Sequence, residues 1–195
     1  PYIFVGSVDA EGRPWASVLL GNPGFISPIS PTEVHVHARP LHGDPLGGTL
    51  APGAEIAMLG VQLHTRRRNR LFGSVGTMSP DGFTIDVRQT LGICPQYIQG
   101  REPEFTRDPM ANHESPVHRT DRLDGTAQAI IAAADTYFVA SANPREADGP
   151  AKGADVSHRG GRPGFVRVDD DATLTAPDFV GNFIFNTLGN WQIDD

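Results

Sequence analysis

Short runs of hydrophobic residues, separated by turn-forming residues, fill the first hundred positions of the chain. Residues 2–8 and 15–20 are two such runs, and the polar segment 9–14 lies between them. This arrangement predicts a β-hairpin. Residues 32–38 alternate between apolar and polar side chains, with Val34 and Val36 set against two histidines. An alternation with period two predicts a half-buried strand.

The next part of the chain continues in the same manner. Residues 54–63 form another apolar run, and residues 70–78 and 82–90 flank the sequence Ser-Pro-Asp-Gly, which is a strong turn signal. Residues 44–50 are compatible with a short helix. With six or more strands expected at close spacing, residues 1–100 are predicted to form a mainly β module, a barrel or a sandwich.

The pattern changes after residue 100. Residues 101–122 are charged and poor in aliphatic side chains, which predicts a linker. Apolar residues then recur at 123, 127, 130, 131 and 134, which is the spacing of one face of a helix. A strand is expected at 136–142. We therefore expect three parts: a first module at 1–100, a linker at 101–122 and a second module at 123–195.

The two modules contain an internal repeat. Residues 4–7 (Phe-Val-Gly-Ser) match residues 138–141 (Phe-Val-Ala-Ser). Further matches relate Ser17, Gly21, Pro23, Gly24 and Phe25 to Ser157, Gly161, Pro163, Gly164 and Phe165. Duplication of one β module explains these matches better than coincidence between two hairpins. The second copy stops near the equivalent of Glu55, so we expect it to be incomplete and completed by further chain or by a partner.

Composition and charge restrict the function. The chain has 195 residues, with 22 Gly and 17 Pro, and a net charge of -7. An acidic balance argues against nucleic acid as a partner, and the sequence has no run of about 20 apolar residues to span a membrane. The single cysteine, Cys94, cannot form an internal disulfide, so a cytoplasmic location is expected.

The densest polar cluster lies at residues 157–165, which read Ser-His-Arg-Gly-Gly-Arg-Pro-Gly-Phe. Glycine allows a ligand to approach the backbone, and arginine makes charge-assisted bonds to phosphate. The cluster is therefore compatible with a phosphate-bearing cofactor and equally with a solvated hairpin tip. Residues 175–190 add amide and hydroxyl groups, which could bind a heteroaromatic ring or serve as turn formers and helix caps.

These two segments, together with residues 4–17, 67–70, 92–98 and 134–141, resemble the pyridoxamine 5'-phosphate oxidase-related flavin-binding proteins. The resemblance implies an FMN-binding split barrel, present here as tandem copies. It also implies FMN as cofactor, with the phosphate held by basic and hydroxyl groups and the ring edge lined by a Pro-Asp pair. The cofactor-binding residues that it selects are Ser157, His158, Arg159, Arg162, Pro177, Asp178, Asn182, Asn186 and Thr187.

The expected function is an FMN-dependent oxidoreductase that transfers a hydride or electrons, with a small-molecule substrate or an electron donor such as NAD(P)H. The alternative is a non-catalytic module that binds flavin or haem or serves dimerisation. No residue is assigned a catalytic role. A chain with two modules could act as a pseudo-dimer, and a homodimer is the preferred expectation.

Two weaker candidates complete the sequence prediction. Residues 66–70 (Arg-Arg-Arg-Asn-Arg) are interpreted first as a solvated strand and second as a flavin or nucleotide contact. His35 and His37 lie on one face of a strand and could form part of a metal site, but no third ligand has a clear spacing. A histidine pair on an exposed strand is the preferred interpretation, and no metal site is predicted.

Overall fold

The computed structural model describes residues 1–111, 114–143, 152–181 and 183–193. The described part is mainly β, with eleven strands and three short helices. The strands are β1 (Tyr2–Val8), β2 (Pro14–Leu20), β3 (Ile26–Ser30), β4 (Glu33–Val36), β5 (Glu55–Gln62), β6 (Arg67–Ser79), β7 (Gly82–Ile93), β8 (Thr136–Asn143), β9 (Gly153–Gly160), β10 (Arg167–Val168) and β11 (Leu174–Thr175). The helices are α1 (Leu46–Thr49), α2 (Gly125–Ala133) and α3 (Asn186–Ile193).

Strands β1 to β7 form one antiparallel sheet in the order β2-β1-β5-β6-β7-β4-β3. Leu19, near one edge of this sheet, and Val36, near the other, belong to the same buried cluster. The sheet is therefore strongly curved, because the side chains of its two edges meet in one core. Burial of this apolar cluster is the main stabilising contribution to the first module.

The hairpin of β8 and β9 packs against the outer face of the sheet. Val156 on β9 lies in a second buried cluster with Ala57 and Leu59 of β5. Phe4 and Phe138, which are equivalent residues in the repeat, stack with ring centroids 3.3 Å apart and an interplanar angle of 13°. This contact joins the first strands of the two hairpins.

The two hairpins that contain the predicted repeat have corresponding registers. Tyr2 pairs with Leu20 at the open end of the first hairpin, and Thr136 pairs with Gly160 at the same place in the second. The following residues also adopt the same turn, since the backbone N–H of Phe25 donates to Asn22 and that of Phe165 donates to Arg162. The two copies therefore share backbone geometry through this turn, although the second hairpin loop is longer.

Most predicted elements are present. Both hairpins of the first module are confirmed, and helices α1 and α2 lie within the segments 44–50 and 123–134. Helix α2 begins after Asp124, whose carboxylate accepts a hydrogen bond from the backbone N–H of Ala127 at 2.8 Å. The described residues of 101–122 form neither helix nor strand. Of the helices described, none has the length and apolar character needed to cross a bilayer.

Candidate functional site

A cleft lies at the junction of the two modules, where the sequence predicts its phosphate-binding cluster. Its walls come from β6, the segment 94–97, the end of β9 and the segment 177–181. The cavity holds about 70 Å³, enough for a few water molecules or a group of about the size of phosphate. The cleft is therefore a composite of both modules, and each module contributes charged or polar side chains to it.

Close backbone contact at Gly160 shapes one wall of the cleft. A Cβ atom at this position would overlap the carbonyl oxygen of Tyr97, so only glycine lets β9 approach the segment 94–97. Tyr97 has a φ of 66°, and its hydroxyl donates to the carbonyl oxygen of Val180 at 2.8 Å. The Tyr97 hydroxyl therefore links two walls that come from different modules.

The side chains of Arg68 and His158 meet inside the cleft. Nη1 of Arg68 lies 3.1 Å from Nδ1 of His158, while its Nε and Nη2 donate to the carbonyl oxygen of Cys94. A guanidinium group has only donors, so Nδ1 of His158 must be the acceptor and Nε2 must carry the hydrogen. Two of the five N–H groups of Arg68 remain available after these three bonds.

His158 is held in its neutral form. Burial, and then the positive charges of Arg68 and Arg159, lower the pKa of His158 from 6.5 to about 4. The side chain is only 4% exposed, and no described group accepts a hydrogen bond from its Nε2. A buried N–H without an acceptor is costly, so an acceptor atom supplied by a ligand or water would stabilise this site.

The charges around the cleft are unbalanced toward positive. Arg68 and Arg159 line it, and neither forms an ion pair with a carboxylate within the described ranges. The two nearby carboxylates are engaged elsewhere, since Asp135 pairs with Arg101 and Asp155 with Arg70. Asp178 is the one carboxylate among the lining residues and offsets part of this charge. Two arginines against one acid favour an anionic ligand.

A buried polar network lies next to the cleft and does not open into it. Arg70 forms an ion pair with Asp155 at 3.0 Å and donates to the Ser157 hydroxyl at 2.8 Å. The Ser157 hydroxyl donates to Asp155 and accepts from Thr187, at 3.1 and 2.9 Å. All four residues are buried. The network joins β6, β9 and α3, so it fixes the position of one module against the other.

Only some of the cofactor-binding residues predicted from the sequence line the cleft. His158, Arg159, Pro177 and Asp178 line the cleft. Ser157 and Thr187 belong to the buried network and are 3% and 2% exposed, so neither presents its hydroxyl to the cleft. Arg162 is exposed beyond the end of β9, and Asn186 begins α3, both outside the cleft. Asn182 lies outside the described residues.

The cleft and the buried network also contain residues outside the cofactor-binding set predicted from the sequence. The run at 66–70 was interpreted first as a solvated strand, which is wrong for Arg70, buried within the protein, and for Arg68, half-buried in the cleft. The signal was present, because Arg68 and Arg70 alternate along β6 and so lie on one face of it. Cys94, for which the sequence predicts only the absence of an internal disulfide, is exposed at the cleft.

Two other places in the molecule are alternative candidates for a ligand or metal site. A larger cavity of about 610 Å³ lies between the segment 104–111 and residues 39–42. Its lining contains the Arg39–Asp81 ion pair at 3.3 Å and the mixed charges of Glu104, Arg107 and Asp108, so no single sign of charge dominates it. The rings of His35 and His37 are 5.9 Å apart, and the described residues contain no group of three or more potential metal ligands.

Comparison with known proteins identifies no family or relative for this chain. No family model matches the chain, and neither the curated proteins nor the solved structures contain a significant match.

Proposed function

We propose that this chain is an FMN-binding flavoprotein of the pyridoxamine 5'-phosphate oxidase-like class, with a split-barrel fold in tandem copies, and that it acts as an oxidoreductase. The observation that carries the proposal is the pair of arginines, Arg68 and Arg159, that line the cleft without an ion-pair partner within the described ranges. Beside them, Nε2 of His158 is a buried N–H donor without an acceptor among the described residues. This donor set matches the phosphate monoester of FMN, because phosphate offers several acceptor oxygens and a negative charge.

The size of the cleft indicates how the cofactor would lie. Pockets that enclose a drug-sized molecule measure roughly 300–1,000 Å³, whereas this cleft holds about 70 Å³. We therefore assign the cleft to the phosphate end, and the ring to the open side near Tyr97 and Phe179. The centroids of these two aromatic rings lie 5.2 Å apart at the rim.

The same geometry disfavours His158 as a haem ligand. A histidine that ligates iron needs a free lone pair on one ring nitrogen, and its other nitrogen usually donates to a carboxylate, a carbonyl or water. At His158 the arrangement is reversed, because Nδ1 accepts from Arg68 and Nε2 carries the hydrogen. Iron binding at His158 would require Arg68 to leave.

The test compares FMN with riboflavin, which has the same ring but no phosphate. FMN is expected to bind roughly 10- to 100-fold more tightly than riboflavin, because a hydrogen bond to a charged group contributes about 1.5–3 kcal/mol. Arg159→Met should abolish most of this preference and leave riboflavin affinity unchanged. Arg162→Met is the matched control: it is exposed outside the cleft and should change neither affinity. Equal binding of FMN and riboflavin by the unaltered chain would contradict the proposal.

Catalysis is tested separately from binding. Once FMN is bound, anaerobic addition of NADH or NADPH should bleach the flavin absorbance if the chain is a pyridine-nucleotide oxidoreductase. A loaded protein that is bleached by neither donor would retain the FMN-binding part of the proposal and lose this enzymatic part.

A further inference from the structure

We propose that the phosphate site is formed within a single chain, once per chain, with Arg68 of the first module and His158 and Arg159 of the second module acting on the same ligand. This inference rests on the proposed phosphate site but not on the identity of the ligand as a flavin. The homodimer expected from the sequence is then not needed to form the site.

The first argument is the fixed relation of β6 to β9. These strands are linked by two arginine contacts on the same face of β6, from Arg68 to His158 and from Arg70 to Asp155. The second contact is buried, with side-chain exposures of 7% and 3%. Strand β1 also approaches β9 closely, since a Cβ at Gly6 would lie 2.6 Å from the carbonyl oxygen of Asp155. Arg68 therefore reaches the second module without help from another chain.

The second argument is that the other copy of the repeat lacks the cations. In the hairpin registers, His158 faces Phe138 as Val18 faces Phe4, so Val18 and Leu19 stand where the second module has His158 and Arg159. Leu19 is fully buried in the apolar core of the first module. The position equivalent to Arg159 thus serves packing, and the first hairpin cannot offer the same phosphate site.

The decisive experiment is complementation between two defective chains. Arg68→Met and Arg159→Met should each lower FMN affinity at least about 10-fold and leave riboflavin binding unchanged. The two variants are then co-expressed with different tags, and complexes that carry both tags are isolated. A site shared between chains would regain FMN in the mixed complex, because one of its two sites would have both arginines. A site within one chain would regain none.

Several results can follow, and each one decides the matter. The inference predicts about one FMN per unaltered chain and no recovery in the mixed complex. If no mixed complex forms while the unaltered chain binds FMN as a monomer, the site within one chain is supported directly. Recovery of FMN in the mixed complex, or two FMN molecules per chain, would overturn the inference. Arg67→Met, an exposed neighbour on β6, is the matched control and should bind FMN normally.

Two further measurements separate the inference from the flavin proposal and from misfolding. If the unaltered chain binds no FMN, the same variants are titrated with inorganic phosphate by ³¹P NMR. Phosphate binding that needs both arginines and is not rescued by mixing would keep the inference, and no binding of either probe would overturn both proposals. If Arg68→Met fails to fold by circular dichroism, Arg68→Gln, which keeps a donor for the Cys94 carbonyl, replaces it.

Discussion

The hairpin of β1 and β2 and the hairpin of β8 and β9 have the same backbone but different chemistry. Both use the same register and end in the same turn, and the aromatic residues Phe4 and Phe138 stack against each other where the hairpins meet. Their second strands differ, since β2 places Leu19 in an apolar core whereas β9 places His158 and Arg159 at a cleft. A similar hairpin framework thus packs a core in one place and lines a cleft in the other.

The difference extends to the buried serines of the two strands. The Ser17 hydroxyl donates to Asp44 at 2.6 Å, and the same carboxylate accepts from the N–H of Leu46 at 2.8 Å, so this contact stays within the first module. Ser157 instead belongs to a charged network that includes Arg70 of the other module. The comparison indicates that the buried serine of β2 is satisfied within its own module, whereas that of β9 depends on a side chain of the first module.

The largest expected effect comes from breaking that dependence. Asp155→Ala should cost about 3–5 kcal/mol of unfolding free energy, because it leaves Arg70 charged and buried without its partner. The corresponding change in the first module, Asp44→Ala, should cost only about 1–2 kcal/mol of unfolding free energy. The lost carboxylate is half-buried and accepts hydrogen bonds from two uncharged donors, the Ser17 hydroxyl and the Leu46 N–H. Urea denaturation of both variants measures the difference.

A double variant provides the control for this prediction. Arg70→Met combined with Asp155→Leu replaces the ion pair by apolar groups and should recover most of the lost stability. Equal losses for Asp155→Ala and Asp44→Ala, or no recovery in the double variant, would show that the network does not hold the modules together.

The sequence was sufficient to predict much of the fold, for identifiable reasons. Period-two alternation at 32–38 and the turn at 79–82 are local signals, and each produced a confirmed strand or hairpin. The repeat was also visible, because matching Gly and Phe residues mark the same turn. These elements depend on neighbouring residues, which is the information that a single sequence carries most directly.

The site was predicted only in part, because its partners are distant in the sequence. Ser157 is 87 residues from Arg70, and His158 is 90 residues from Arg68. The sequence of residues 157–165 alone does not show that Ser157 joins a buried network while His158 lines the cleft. The motif therefore located the right strand, and only the packing of the modules assigned its side chains.

A second prediction concerns the loss of stability at low pH. His158 should contribute to this loss, whereas Val18 at the corresponding position of the first hairpin has no titratable group and should not. The pKa of His158 is lowered to about 4 in the folded state, against an ordinary value of 6.5, so the unfolded chain binds more protons between these values. Stability should therefore fall as the pH is lowered through this window. Between about pH 7 and pH 5 the loss from this residue should be about 2 kcal/mol.

The measurement is urea denaturation at the two pH values for the unaltered chain and for His158→Asn. Asparagine keeps an acceptor for Arg68 but does not titrate, so the variant should lose about 2 kcal/mol less on acidification. The same pH dependence in both proteins would place the proton-linked loss elsewhere and would remove the assignment of His158 as a buried neutral group.

The smallest effect tests the feature that the two hairpins share. Gly24 and Gly164 have φ values of 88° and 83°, and each follows a proline in the same turn. A Cβ at Gly24 would meet nothing within 4 Å, and one at Gly164 would meet only the Ala132 carbonyl oxygen at 3.8 Å. Alanine at either position should therefore cost about 1 kcal/mol, from backbone strain alone.

Because the strain has the same origin in both copies, the two losses should agree within about 0.5 kcal/mol, and the double variant should show their sum. Gly48→Ala is the control, since it lies in α1 with open space around it and without a positive φ, and should not destabilise the protein. Unequal losses at Gly24 and Gly164 would mean that the second turn is supported by its module differently from the first. In that case the two turns would share a sequence and a backbone conformation without sharing a role in the fold.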